Sequence, residues 1–149
     1  MPQVRSEIVA PGDPDRVYAV CTRMEDFARF MPDVRSVTVL ERHDWGTLTS
    51  WDTTLRGRPF RWVERDVMDP DKHAIHYEQT QGDLAVFRGD WQITAVPEGC
   101  RVELTCEFEF GMPMLAALLN PVAAMVVRSN LEHMLAAVRD ECQRQLAAG

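Results

Sequence analysis

The chain has 149 residues, 46% of them hydrophobic and 26% charged, with a formal net charge of −7. These fractions suit one globular domain over 1–149 and exclude a disordered chain. The acidic balance also argues against nucleic acid, because the densest basic stretch, Arg56-Gly57-Arg58-Pro59-Phe60-Arg61, is short and interrupted. Residues 1–7 lack the apolar run of a signal peptide, which points to the cytoplasm. Val4, Ser6, Ile8 and Ala10 then alternate with Gln3, Arg5, Glu7 and Val9, the period-two pattern of a strand. Pro11-Gly12 stops it. Asp13-Pro14 reads as an N-cap followed by proline at the first helical position, and Val17, Val20 and Cys21 supply a short helical face. A second short helix is expected over 24–31, with Phe27, Phe30 and Met31 apolar and Pro32 closing it.

From Val34 to Phe110 the period is two, with turn compositions between runs. Arg35, Val37 and Val39 are expected on one strand face, followed by a turn at His43-Asp44-Trp45-Gly46 that exposes Trp45. Further strands are expected over 47–55, 60–68, 73–80, 85–95 and 101–110. No helix-period segment interrupts them, so the sheet should be antiparallel. The last segment is a long amphipathic helix in which Asn120-Pro121 reads as cap and first position. Ala124, Val127, Leu131, Met134, Val138 and Cys142 recur along it at steps of three and four. The apolar stretch 112–127 is shorter than the ~20 residues of a membrane span and carries two prolines, which argues against insertion. Within it, 112–119 reads either as a lid over a cavity mouth, as a dimer or membrane-surface contact, or as packed core.

The four cysteines, Cys21, Cys100, Cys106 and Cys142, show neither a C-x-x-C pair nor zinc-type spacing, consistent with a reducing compartment. His73 and His76 point to opposite faces if they lie on a strand, so no metal is expected. His73 would share a face with Ile75 and Tyr77, where a lone cavity histidine could act as acid or base.

The order is strand, two short helices, six strands and a long helix. It predicts an α+β fold in which a curved antiparallel sheet of about seven strands wraps around the C-terminal helix. A bent sheet and one helix leave a concave space between them, suited to a hydrophobic small molecule. The Asp13-Pro14-Asp15-Arg16-Val17-Tyr18 helix start, Met24-Glu25-Asp26-Phe27 with Met31-Pro32, and Arg61-Trp62-Val63-Glu64-Arg65 with Asp69-Pro70 carry a resemblance. So do Gly89-Asp90-Trp91, Glu107-Phe108-Glu109-Phe110 and Asn130. In these the chain resembles the START-like helix-grip superfamily, also called the Bet v 1-like or SRPBCC group. Within that group it is similar to the polyketide aromatase/cyclases and the coenzyme Q-binding START proteins. The resemblance implies cofactor-independent aldol cyclisation and dehydration of a poly-β-ketone delivered by an acyl carrier protein. The alternative it implies is a lipid, quinone or natural-product carrier. It also implies an arginine after the paired aromatics, a histidine or glutamine on the last strand, and a polar residue on the long helix. Those positions fall here on Asp66 (with Arg65 adjacent), Cys106 and Asn130.

Phe60, Trp62, Glu64, Asp66 and Met68 share one face of their strand; Arg61, Val63, Arg65 and Val67 share the other. Two readings of Glu64 and Asp66 stand. Either they face the cavity, where desolvation raises a carboxylate's pKa and makes it a general base for enolisation. Or they sit in water at the strand end, or pair with Arg88 or Arg101. A bulge would turn Arg65 inward as an enolate stabiliser. The wall that would fold a ligand comprises Trp51, Phe60, Trp62, Tyr77, Phe87, Trp91, Phe108 and Phe27, or these are ordinary core. Cys106 is expected to face inward as an inert thiol. Asn130 and Met134 edge the helix's apolar face, with Asn130 either anchoring a carbonyl or facing water.

Overall fold

The computed structural model describes residues 2–111 and 113–149, and for 113–118 the backbone alone. Strand β1 (Gln3–Ala10) opens the chain and buries Val4 and Ala10. Helix α1 (Pro14–Thr22) follows with Asp13 as N-cap, its carboxylate accepting from the Arg16 amide at 3.0 Å. The second short helix is a 3₁₀ turn, Met24–Arg29, rather than an α-helix. Its six residues end before Pro32, too short a run to establish the i to i+4 ladder.

Six strands then run as a meander: β2 (Val34–His43), β3 (Gly46–Leu55), β4 (Arg58–Asp69), β5 (Ala74–Gln81), β6 (Val86–Val96) and β7 (Gly99–Glu109). All pairings are antiparallel, in the order β1-β7-β6-β5-β4-β3-β2. Two expectations about sides change. The pairing of β2 with β3 skips a residue between Val34 and Ser36, so Val34 and Val37 are both buried while Arg35 is exposed. A bulge of this kind replaces strict alternation by a spacing of three. His73 precedes β5 in a left-handed conformation (φ 51°) and leaves the strand's alternation. Its Nε2 lies 2.7 Å from Asp15 Oδ1, outside the sheet's inner face.

Helix α2 (Pro113–Ala148) begins seven residues before the expected Asn120 cap and continues through Pro121. The upstream Met-Leu-Ala residues are strong helix formers. Proline at 121 removes one backbone hydrogen bond without ending the helix. Leu131, Leu135, Val138 and Cys142 are buried against the sheet and α1, as the three-four spacing requires. The expected lid at 112–119 lies, apart from Leu119, outside the described side chains. Among the described residues no helix is long and apolar enough to cross a membrane. The result is the helix-grip arrangement: one curved sheet holding one long helix.

Candidate functional site

Between the inner sheet face and α2 lies a cavity of about 360 Å³. Its wall follows from strand alternation. On β3 every second residue from Thr47 to Leu55 faces inward, and of these Trp51, Thr53 and Leu55 reach the cavity. On β4 the inward row contributes Phe60, Trp62 and Glu64. Tyr77, Phe87, Trp91, Cys106 and Phe108 come from β5, β6 and β7; Asn130 and Met134 come from α2. Leu119 and Val122 line the cavity yet are 42% and 57% exposed, so the cavity opens to solvent there.

The wall is aromatic and ordered. Trp51 and Trp62 are direct cross-strand partners, and their rings stack at 5.2 Å and 12°. Phe87 meets Trp62 edge-on at 5.1 Å, and Phe60 lies 5.1 Å from the same indole. Such a surface matches flat unsaturated ligands. Phe27 is not part of it. That ring is fully buried behind the wall, 5.8 Å from Trp51 and 6.1 Å from Trp91. The 3₁₀ turn places it under the sheet rather than in the cavity, where it supports the two tryptophans.

Tyr77 reaches beneath β6 to donate its hydroxyl to the Thr105 carbonyl at 2.6 Å. Gly89, paired with both Tyr77 and Cys106, leaves the space for this; a Cβ there would lie 2.5 Å from the hydroxyl. Burial pushes the Cys106 thiol up to about 12, so it is a protonated, non-nucleophilic group at neutral pH.

The two carboxylates are interior. Glu64 is 3% exposed and Asp66 0%. Arg88 pairs instead with Glu107 at 3.2 Å and Arg101 with Glu103 at 2.8 Å, so neither reaches them. Asp66 faces inward but does not line the cavity, contrary to the expectation of a ligand-contacting base. It sits one step deeper than Glu64 on the same strand face, and the two carboxyl groups lie close enough to influence each other. Thr49 Oγ1 donates to Asp66 Oδ2 at 2.6 Å and Thr47 Oγ1 at 3.1 Å. Trp51 Nε1 donates to Thr49 Oγ1 at 2.9 Å, and Trp62 Nε1 donates to Glu64 Oε1 at 2.7 Å.

Electrostatics divides the pair. Burial, then the adjacent Asp66, hold the Glu64 carboxyl well above the usual carboxylate range. Burial raises Asp66 as well, while hydrogen bonds from Glu64, Thr49 and Thr47 oppose the rise. Of the two, Glu64 is the one held further above its ordinary range and so retains a proton more readily than Asp66. Asp66 Oδ1 is buried with no hydrogen-bond partner among the described residues. Burial thus pushes the Glu64 carboxyl toward its protonated form.

Arg65 is on the far side. The β3–β4 register runs unbroken from Gly46–Val67 to Leu55–Arg58, so alternation holds and no bulge turns Arg65 inward. The irregularity at Val63/Glu64 concerns the pairing with β5, where an extra residue falls on β5. Arg65 is exposed, its guanidinium 5.6 Å from the ring centre of the exposed Trp45. Thr47 and Thr49 were missed as site residues. The period that placed Trp51 inward also places them inward, and that signal was legible on β3.

Comparison with known proteins agrees with this geometry. No curated protein matches the chain in sequence. Among solved structures, the protein TTHA0849 from Thermus thermophilus is 28% identical, with a TM-score of 0.89 over 99% of both chains. The Zhui aromatase/cyclase from Streptomyces sp. R1128 is 21% identical, with a TM-score of 0.89 over 99% of this chain and 98% of its own. A START superfamily protein from Mycobacterium smegmatis is 15% identical, with a TM-score of 0.82 over 96% and 98%. At those two lower identities the likeness is one of fold. A family model described as "Polyketide cyclase / dehydrase and lipid transport" matches residues 11–135. The match takes in α1, the sheet from β2 to β7 and most of the cavity wall, and so the chain belongs to that polyketide cyclase/dehydrase and lipid-transport family.

Proposed function

We propose that the protein binds a neutral, flat poly-β-ketone, delivered by an acyl carrier protein, and cyclises it by aldol addition and dehydration with Glu64 as general acid. The observation that carries this reading is a buried carboxyl, raised by desolvation, facing a largely aromatic cavity and backed by a second carboxyl group. Glu64 donates its proton to the ketone oxygen as the enol carbon attacks the ketone carbon. The carbon–oxygen double bond becomes a hydroxyl, and the enol's own proton returns to Glu64, so the protons balance. In dehydration the same group protonates the departing hydroxyl as water and recovers a proton from the adjacent carbon. Trp51, Trp62 and Phe87 hold the chain folded, which raises the effective concentration of the two reacting carbons. Asn130, which lines the cavity from α2, would anchor a second carbonyl.

The test is reconstitution with a ketosynthase and an acyl carrier protein that generate a carrier-bound poly-β-ketone. Adding the protein should convert a mixture of spontaneously cyclised products into one principal ring pattern. An unchanged mixture overturns the enzyme reading. The second reading, a carrier without chemistry, is favoured by the inert Cys106 and by Asp66 at the position where the cyclases carry arginine. It predicts tight binding of the same chain with no change in product.

Both readings require a neutral ligand. No cationic side chain is among the described residues lining the cavity, and two buried carboxyl groups, Glu64 and Asp66, already stand at one end of it. Burying an unpaired anion costs several kcal/mol. Acetylnaphthalene should therefore bind about tenfold or more tighter than naphthoate of the same size, since about 1.4 kcal/mol is a tenfold change. Quenching of Trp51, Trp62 and Trp91 fluorescence reads both. Equal affinities would contradict the assigned charge state.

A further inference from the structure

The inner face of β3 and β4 does not end at the cavity. Beyond Trp51 and Trp62 come Thr49 and Asp66, both essentially inaccessible, and then Thr47 and Met68. Thr47 and Met68 line a second pocket of about 550 Å³, formed with Thr22, Glu25, Asp26 and Arg42. His43 and Asp44 also border it. The two pockets thus occupy opposite ends of one sheet face, divided by a plug of side chains. Unlike the cavity, the second pocket is rich in polar and titratable groups. Its edge is fixed by the Arg42–Glu25 ion pair at 2.5 Å.

The threonine side of the plug is hydrogen-bonded to Asp66. Glu64 faces the cavity with Asp66 next to it on the same face of the strand; Asp66 Oδ2 accepts from Thr47 Oγ1; Thr47 borders the polar pocket. The backbone holds this arrangement closely. Gly46, at φ 146°, abuts the Asp66 carbonyl, and a Cβ there would lie 1.8 Å from that oxygen. On the cavity side the titratable neighbours of Glu64 are Tyr77 and Cys106, whose hydroxyl and thiol donate to the Thr105 and Glu107 carbonyls. Neither faces the second pocket.

We propose that Asp66 and Thr47 form a rear proton path connecting Glu64 to solvent in the polar pocket while a ligand fills the cavity. The path rests on the reading of Glu64 as the acid. A shift of one proton from Glu64 to Asp66 leaves Glu64 as a carboxylate facing the ligand and Asp66 neutral. No proton is lost, so Glu64 alternates between acid and base. Rotation of the Thr47 hydroxyl then lets Asp66 exchange its proton with water in the outer pocket. An apolar ligand at the mouth between Leu119 and Val122 would otherwise isolate Glu64 between turnovers. Asp66 and Thr47 are positioning residues here, acting through Glu64.

The experiment is rapid-mixing infrared spectroscopy in heavy water, with acetylnaphthalene saturating the cavity. The protonated-carboxyl band removed by Glu64→Gln is followed as it shifts on deuteration. Loss of the hydrogen bond from Thr47 in Thr47→Val should slow that shift about tenfold or more, with Thr47→Ser restoring the parent rate. Thr47→Cys, of similar size and a weak donor, should give the same slowing and serves if the valine variant does not fold. A shift equally fast in the parent, valine and cysteine variants with the cavity filled overturns the path. Absence of any carboxyl band sensitive to Glu64→Gln overturns the acid reading itself, a separate outcome.

Discussion

Glu64→Gln should lower the rate of carrier-bound poly-β-ketone cyclisation by about 10²–10⁴-fold, the usual contribution of a positioned general acid. The substitution isolates proton transfer because glutamine copies the protonated glutamate. Its amide carbonyl can accept from Trp62 Nε1, as Glu64 Oε1 does at 2.7 Å, and its amino group can donate to Asp66 in place of the carboxyl proton. Shape, stacking and the Asp66 carboxyl are retained. Affinity for acetylnaphthalene should therefore stay within about threefold, a change below 1 kcal/mol. A product-forming rate that survives Glu64→Gln would leave the carrier reading standing. A parallel collapse of affinity would show that the substitution disturbed the wall rather than the chemistry. Asp66→Asn offers the complementary case: it removes the charge that receives the Glu64 proton and should flatten the pH dependence of the rate.

Much of the architecture was legible in the sequence because it rests on patterns that solvent exposure imposes. Alternation placed Phe60, Trp62, Glu64 and Asp66 on one face, and the register with β3 bears this out. It equally gave Val102, Leu104, Cys106 and Phe108 as the buried row of β7. Alternation failed where the backbone departs from period two. The bulge at Arg35 and the left-handed His73 are conformational events set by pairing and by the Asp69-Pro70 turn, and composition alone does not announce them. The start of α2 was misread for a different reason. Asn-Pro has the composition of a cap, but its meaning depends on whether the preceding residues are helical. The least legible feature was the charge state of the site. Two acidic residues two apart look like a solvated strand end or a pair of bases. Only the depth of burial and the hydroxyls of Thr47 and Thr49 decide which one keeps the proton. Phe27 shows the same limit, since sequence cannot separate a wall aromatic from one standing behind it.

The same proton should make the fold less stable as pH rises. In the native protein burial holds Glu64 well above the usual carboxylate range, whereas in the unfolded chain it titrates as an ordinary glutamate. Between those two values the native state binds one proton more than the unfolded state. Stability then falls with increasing pH, by up to about 1.4 kcal/mol per pH unit for one proton. The stabilisation is complete below the ordinary glutamate range and is lost as pH rises through the raised value. Asp66, also raised, acts with the same sign. This reverses the behaviour of a salt-bridged carboxylate, which loses stability on acidification. Urea unfolding of the parent and Glu64→Gln across that window should give midpoints that diverge with pH, the parent falling and the variant nearly level. Taking the difference cancels the exposed pairs common to both, such as His73 with Asp15 and His76 with Asp90. It also separates the carboxyl pair from Tyr77 and Cys106, which burial moves further into the alkaline range. Parallel profiles would mean that Glu64 is ionised in the native state. The cavity would then present an anion to its ligand, and both the acid role and the preference for neutral ligands would fail together.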